Sequence, residues 1–291
     1  MEETKKGRGV KLLQPKIDIV FQSLFNKKNE EITKSFIEAL LDEKVNSIEI
    51  NDTKELTRDK PMNKLGILDL ELDINNKEKV DVEVQLLKND EFIHRLLYYW
   101  SRLYSKQMQR GEEYTKAKRV VIIAIVDFEI DITKELRKME TIWNIREKEK
   151  TEKVLTDLLE IRIINLRRVR EAYQQDKENK KNQWVMFLED PNSKEVKEIM
   201  EKNEDVKKAI ITVKEMSEDE KMERLAELRE KAIRDEKALY NTGIREGKEI
   251  GERKNKIEVI KRMVQENFDN DIIKKITNAT DKEIEEVRMK K

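Results

Sequence analysis

Residues 66–86 read GILDLELDINNKEKVDVEVQL, and the hydrophobic period in them is two. Leu68, Leu70, Leu72 and Ile74 alternate with Asp69, Glu71 and Asp73, while Val80, Val82, Val84 and Leu86 alternate with Asp81, Glu83 and Gln85. Successive side chains of a strand point to opposite faces, so each run predicts a half-buried strand and the pair predicts a hairpin. Register then decides which polar residues meet. A loop with an odd residue count, most simply Asn75, Asn76 and Lys77, keeps both apolar sets on one face and sets Asp69 opposite Glu83. Asn tolerates the left-handed backbone that such a loop demands.

Outward from the hairpin the period changes to that of a helix. Upstream, residues 15–43 open with Pro15 and carry Ile19, Val20, Ser23, Leu24, Ile32, Phe36, Ile37, Leu40 and Leu41 at three- and four-residue spacings, which predicts one or two amphipathic helices. Downstream, Glu91 to Arg110 predicts an aromatic-rich helix with a core stripe of Ile93, Leu96, Leu97, Trp100, Leu103, Tyr104 and Met108, ended by Gly111. The run Val120 to Val126 has no alternation and is β-branched, as expected of a central strand buried on both faces by helices. Ile161 to Leu166 predicts a further strand, and Trp184, Phe187 and Leu188 a helix face that closes the core near Pro191. The expectation is an α-rich α/β unit over residues 1–191 and a helical C-terminal region over 192–291. In that region Gly243, Gly247 and Gly251 precede a second amphipathic stretch, Ile257 to Val264. Each Gly weakens an isolated helix by roughly 1 kcal/mol, which points to close packing or a hinge there.

Composition narrows the chemistry. Of 291 residues 43% are charged, with only 7 Gly and 3 Pro, which favours long solvated helices over a loop-rich or all-β fold. The absence of Cys removes disulfides, thiolate metal sites and Cys nucleophiles, and a single His, His94, removes most histidine-based metal or triad chemistry. Any metal must therefore be held by oxygen ligands. No apolar run approaches the roughly 20 residues of a membrane span, and MEETKKGRG lacks an apolar signal core, so a cytoplasmic protein without a membrane partner is expected. Lys+Arg and Asp+Glu are equal at 62 each, so nucleic acid must be met by a local patch and not by a global field.

Hydrolysis of a phosphodiester at neutral pH calls for a cation that polarises the phosphate and acidifies the attacking water, and Mg²⁺ prefers one or two carboxylates plus waters. Asp69 and Glu83 can supply that pair. Set on one side of a hairpin they repel each other, so a cation between them is favoured. Gln85 projects to the same face and can position a water or a phosphate oxygen, although it carries no charge. On spacing alone, a half-exposed hairpin shows the same alternation for solubility. Arg95, Tyr99, Arg102 and Lys106 fall on one side of the following helix and suit phosphate contact and stacking; a solvated basic face with Tyr99 half-buried has the same spacing.

The ordered series KIDIVF (16–21), GILDLELDI (66–74), VDVEVQ (80–85), FIHRLLYYWSRLYSKQMQRGEEY (92–114), VVIIAIV (120–126), LTDLLEIRIINL (155–166) and QWVMFL (183–188), with the Gly-spaced tail, resembles the recombination-promoting nuclease/putative transposase family of bacterial PD-(D/E)XK proteins. The resemblance implies a restriction-endonuclease-like core, a mixed sheet flanked by helices. It also implies divalent-metal-dependent DNA cleavage, with Mg²⁺ or Mn²⁺, in recombination or mobile-element biology. It maps the nuclease signature onto Asp69, Glu83 and Gln85 and an acidic residue of the first helix onto Asp18. The metal would then be held by Asp69, Glu83 and the Val84 carbonyl, with DNA as partner; the helical C-terminal region is expected either to dimerise or to contact DNA. Gln85 replaces the Lys usual in the superfamily, and Gln22 and Asn165 stand where the family often carries Lys and an acidic residue. A catalytically silent DNA-binding protein, an RNA-directed or antiphage nuclease, and a purely structural helical assembly are the competing readings.

Overall fold

The computed structural model describes residues 11–51 and 70–289. Two short helices open it, α1 (Asp18–Leu24) and α2 (Glu30–Leu41), separated by a 3₁₀ turn whose cap, Asn26, accepts a hydrogen bond from the Lys28 amide. Glu30 and Glu31 sit in the first turn of α2, where the positive end of the helix dipole favours them. Asp42 ends that helix in the left-handed region at φ 57°. The strands follow: β1 (Ile48–Ile50), β2 (Leu70–Ile74) and β3 (Glu78–Gln85).

The predicted three-residue loop is the one formed. Ile74 pairs with Glu78 and Leu70 with Val82, and Asn75 and Asn76 both take positive φ, 52° and 54°. Asn75 also fixes the preceding segment: its side-chain oxygen accepts the amides of Asn46 and Ser47. Asp69 lies outside the described residues.

Helix α3 (Phe92–Ser105) leads into β4 (Arg119–Val126); α4 (Asp131–Lys134), β5 (Glu140–Arg146) and β6 (Val154–Asn165) come next. The six strands form one mixed sheet in the order β1-β2-β3-β4-β6-β5, with β3, β4 and β6 parallel. Strand β4 is central, and every residue from Val120 to Val126 is buried because helices cover both faces. Its odd-numbered residues Val121, Ile123 and Ile125 join a large core with α1, α2 and the helices that follow the sheet; the even-numbered Val120, Ile122, Ala124 and Val126 join a second core with α3.

Three sequence expectations need correction. The helix after the hairpin stops at Ser105 and not at Arg110, because the Gln107 side chain turns back to bond the amide and carbonyl of Lys118 at the mouth of β4. Gly111, at φ 92°, belongs to that turn. The strand expected at Ile161 begins at Val154 and pairs with β5, which the charge-rich sequence around Trp143 concealed. The core also runs past Pro191. Helices α5 (Val169–Gln175) and α6 (Lys180–Glu189) are followed by α7 (Lys194–Lys202) and α8 (Glu204–Glu218), and Val196, Ile199, Val206, Ala209 and Val213 are buried in the same core as Trp184 and Phe187.

The chain divides into two compact units, residues 1–231 and 232–291. Helix α9 (Glu220–Gln265) begins in the first and ends in the second, where α10 (Asn270–Thr277) and α11 (Asp281–Met289) complete a small core of Ile260, Met263, Val264, Ile273, Ala279, Ile284 and Val287. Gly243, Gly247 and Gly251 lie within α9, and a Cβ at any of them would meet nothing within 4 Å. No helix among the described residues is long and apolar enough to cross a membrane.

Candidate active site

Alternation along β3 separates two sets of side chains. Val80 and Val82 enter the large core; Asp81, Glu83 and Gln85 point to the face covered by α3. The register assigns that face: Glu83 lies beside Ala124 and Asp81 beside Ile122, both members of the second core. Ala124 is the smallest side chain of β4, which leaves room beside it for a carboxylate. The hairpin face that the sequence assigned to solvent is thus covered at its β3 end, with Asp81 0% and Glu83 6% exposed. Burying an ionised carboxylate is costly without compensating charge or hydrogen bonds, so these two acids are not there for solubility.

Helix α3 supplies compensation for Glu83. It docks through Phe92, Leu96, Tyr99 and Leu103, and this brings Arg95 over the end of β3. The Arg95 guanidinium lies 3.7 Å from a Glu83 carboxylate oxygen, donates to Gln85 Oε1 at 3.4 Å and donates to the Tyr99 hydroxyl oxygen at 3.0 Å. Gln85 Nε2 in turn donates to the Leu87 carbonyl at 3.0 Å, which fixes the amide with its oxygen toward Arg95. Burial raises the Tyr99 hydroxyl above the ordinary phenol range and the charges of Glu83 and Asp81 raise it further, outweighing the opposing hydrogen bond and charge of Arg95. Tyr99 is neutral at any physiological pH.

The other acids of the hairpin are occupied elsewhere. Asp73 takes Lys79 at 2.8 Å, Lys118 at 3.6 Å and the Asn51 amide. Burial pushes its carboxyl up, but these hydrogen bonds and charges win and hold it below the usual carboxylate range. At the starts of β3 and β4, Arg119 bridges Glu78 and Glu160, at 3.1 and 2.6 Å. Ion pairs therefore lock one end of the parallel strands, while Glu83 and Gln85 lie toward the opposite, carboxyl end.

The remaining predicted residues are placed as follows. Val84 packs against the large core between Glu83 and Gln85. Asp18 accepts the Ile19 amide on one carboxylate oxygen and pairs with Arg229 of α9 at 2.7 Å on the other. Arg102 and Lys106 are exposed. Tyr99 is not: at 3% exposure its ring is part of the second core, which leaves no open face for stacking on a base, and its hydroxyl accepts from Arg95. The four shared one side of the helical wheel, but the apolar stripe is wide enough to take Tyr99 with it. Sequence reasoning missed Asp81, although its two-residue step to Glu83 was visible in the alternation.

The donors at this face are all oxygen, which fits a hard divalent cation. Among the described residues no group of three or more acidic or histidine side chains is assembled to hold a metal, and His94 is exposed. No curated protein and no solved structure matches the chain. A family model described as PD-(D/E)XK nuclease family transposase matches residues 15–243, from the approach to α1 into α9 and across all six strands, and the chain therefore belongs to that family.

Proposed function

We propose that the protein is a divalent-metal-dependent DNA endonuclease acting in recombination or transposition. The observation that carries this reading is the convergence of buried Glu83 and half-buried Gln85 on Arg95 at the carboxyl end of β3, in a chain of a nuclease-transposase family. Asp69, Glu83 and the Val84 carbonyl would hold Mg²⁺ or Mn²⁺, and Asp18 would add a carboxylate from α1. When bound, the cation supplies Lewis acidity toward the phosphate and an acidified water. Gln85 orients that water or a phosphate oxygen. Arg95 provides the positive charge that Gln85 lacks where the superfamily usually has Lys, and its fork suits a phosphate. Arg102 and Lys106 extend the cationic side of α3. Self-association is assigned to α9, whose Leu239, Ile244 and Ile250 are exposed.

The experiment is plasmid cleavage by wild type, Asp69→Ala and Glu83→Gln with Mg²⁺, Mn²⁺, Ca²⁺ or EDTA. Cleavage by the wild type with Mg²⁺ or Mn²⁺, absent in EDTA and in both variants, is expected, and the variants should melt within about 1 kcal/mol of wild type because each swap removes charge but little buried apolar surface. Equal cleavage by wild type and both variants would place the reaction elsewhere. A second reading, a catalytically silent DNA-binding protein, draws support from Gln85 and Asp18, both already engaged by protein partners. Metal binding and DNA binding without strand cleavage would establish it. Cleavage of matched RNA in place of DNA would instead assign an RNA-directed enzyme.

A further inference from the structure

The register sets Gln85, Val126 and Asn165 side by side at the carboxyl ends of β3, β4 and β6. Ligands of open α/β sheets bind in the crevice beyond such ends. Asp127 is the first residue past β4, and its amide donates to the Gln85 carbonyl at 3.1 Å, so it is anchored directly to the metal-site strand. Its carboxylate gathers two cations. Lys16, just before α1, lies 3.4 Å from one oxygen, and Arg167, just after β6, lies 3.3 Å from the other. The neighbouring Arg168 is paired with Glu129 and Asn165 caps the Arg167 amide, so the segment holding Arg167 is itself fixed. One carboxylate against two cations leaves this cluster with a net positive charge, in a chain whose total formal charge is zero.

We infer that Lys16 and Arg167 form a second phosphate clamp for the nucleic-acid backbone, and that Asp127 holds them in place until a phosphate takes its position. This deepens the nuclease reading and rests on it. The pairs with Asp127 are long and partly exposed, with side chains 19%, 30% and 45% exposed for Lys16, Asp127 and Arg167, so exchanging that carboxylate for a phosphate costs little. Arg167 offers a planar fork and Lys16 a point charge, the two complementary ways of holding a phosphate. Arg95 then grips the scissile neighbourhood from the α3 face while Lys16 approaches from the α1 face.

The test is the salt dependence of binding of a fluorescent DNA duplex by the full chain, measured in EDTA and in Ca²⁺ with wild type, Lys16→Ala/Arg167→Ala and Asp127→Asn. The double variant should bind about tenfold more weakly, and the slope of log K against log salt should fall by about one to two, as expected for one or two lost phosphate contacts. Asp127→Asn should bind as tightly as wild type or more tightly, with the slope unchanged. If the double variant fails to fold, Arg167→Gln alone should lower the slope by about one. Wild-type binding with an unchanged slope in these variants overturns the clamp and leaves the metal site standing. No DNA binding by the wild type in either buffer overturns the nuclease reading and the clamp together, whereas undiminished cleavage by Glu83→Gln overturns only the metal site.

Discussion

Under the proposed function Arg95 does two jobs that oppose each other. In the metal-free protein its guanidinium lies 3.7 Å from a Glu83 carboxylate oxygen, where a bound divalent ion would also be attracted. A unit charge pair at that separation is worth about 4 kcal/mol at an effective dielectric of 20, and with Arg95 one-third exposed, screening brings the usable part to about 1 kcal/mol. Removing a cation that competes with the metal raises metal affinity; removing a phosphate ligand lowers turnover. Arg95→Ala should therefore bind Mn²⁺ about fivefold more tightly by calorimetry while cleaving DNA more slowly. Its metal-free form should lose about 1 kcal/mol of stability, regained when Mn²⁺ is added. Weaker Mn²⁺ binding would mean that Arg95 supports the metal site and does not compete with it. Tyr99→Phe tests the positioning role: it keeps the core ring and removes the hydroxyl that Arg95 bonds, so turnover should fall while the melting temperature stays within a few degrees.

At the scale of elements, α11 carries the clearest pH dependence. Thr280 and Glu283 form a capping box, with the Thr280 amide donating to the Glu283 carboxylate at 2.8 Å and the Glu283 amide donating to the Thr280 hydroxyl at 3.3 Å. Lys256 of α9 adds a 3.0 Å pair. The Thr280 backbone bond and then Lys256 lower the Glu283 carboxyl from 4.5 to about 2. A lowered folded-state value stabilises the fold above the ordinary value and is lost as pH falls from 4.5 toward 2. Hydrogen exchange of α11 amides should therefore be faster in Glu283→Gln than in wild type at pH 6, with the difference closing as pH approaches 2; an equal difference at both ends would assign it to shape and not to charge. Elements also divide by how legible they were in sequence. The β2–β3 hairpin, its Asn-Asn-Lys loop and the buried β4 could be read because period and turn chemistry are local. Strand β5 could not, because an edge strand with Ile142 and Ile145 exposed has no apolar face to betray it. Helical spacing grouped Arg95 with Tyr99, but the surface α3 covers is a tertiary fact, so the pairing with Glu83 stayed hidden.

At the scale of the molecule, two compact units, the second with a core of its own, imply that activity and C-terminal stability are separable. The first unit surrounds both faces of the sheet and contains Glu83, Gln85 and Arg95; the second has seven buried residues in its core, among them Ile273 and Ile284 at 0% exposure. Units of about 60 residues bury a smaller fraction of their surface and are marginal, so the second should unfold at lower temperature. Truncating a fully buried Ile to Ala costs about 2–5 kcal/mol, comparable to the whole stability such a unit commands. Ile273→Ala should therefore abolish exchange protection in α10 and α11 of the full-length chain while protection of β3 and β4 is retained, and Mg²⁺-dependent plasmid cleavage should remain within about twofold of wild type. Phe36→Ala, in the large core against Phe25 and Trp184, should do the reverse: it costs about 3–5 kcal/mol in the unit that carries the site, so cleavage falls with the loss of β3 and β4 protection. Loss of cleavage by Ile273→Ala with β3 and β4 still protected would show that the C-terminal unit takes part in the reaction, through DNA or through a second copy of the chain. Such a variant that also fails to self-associate would identify the second copy as the reason.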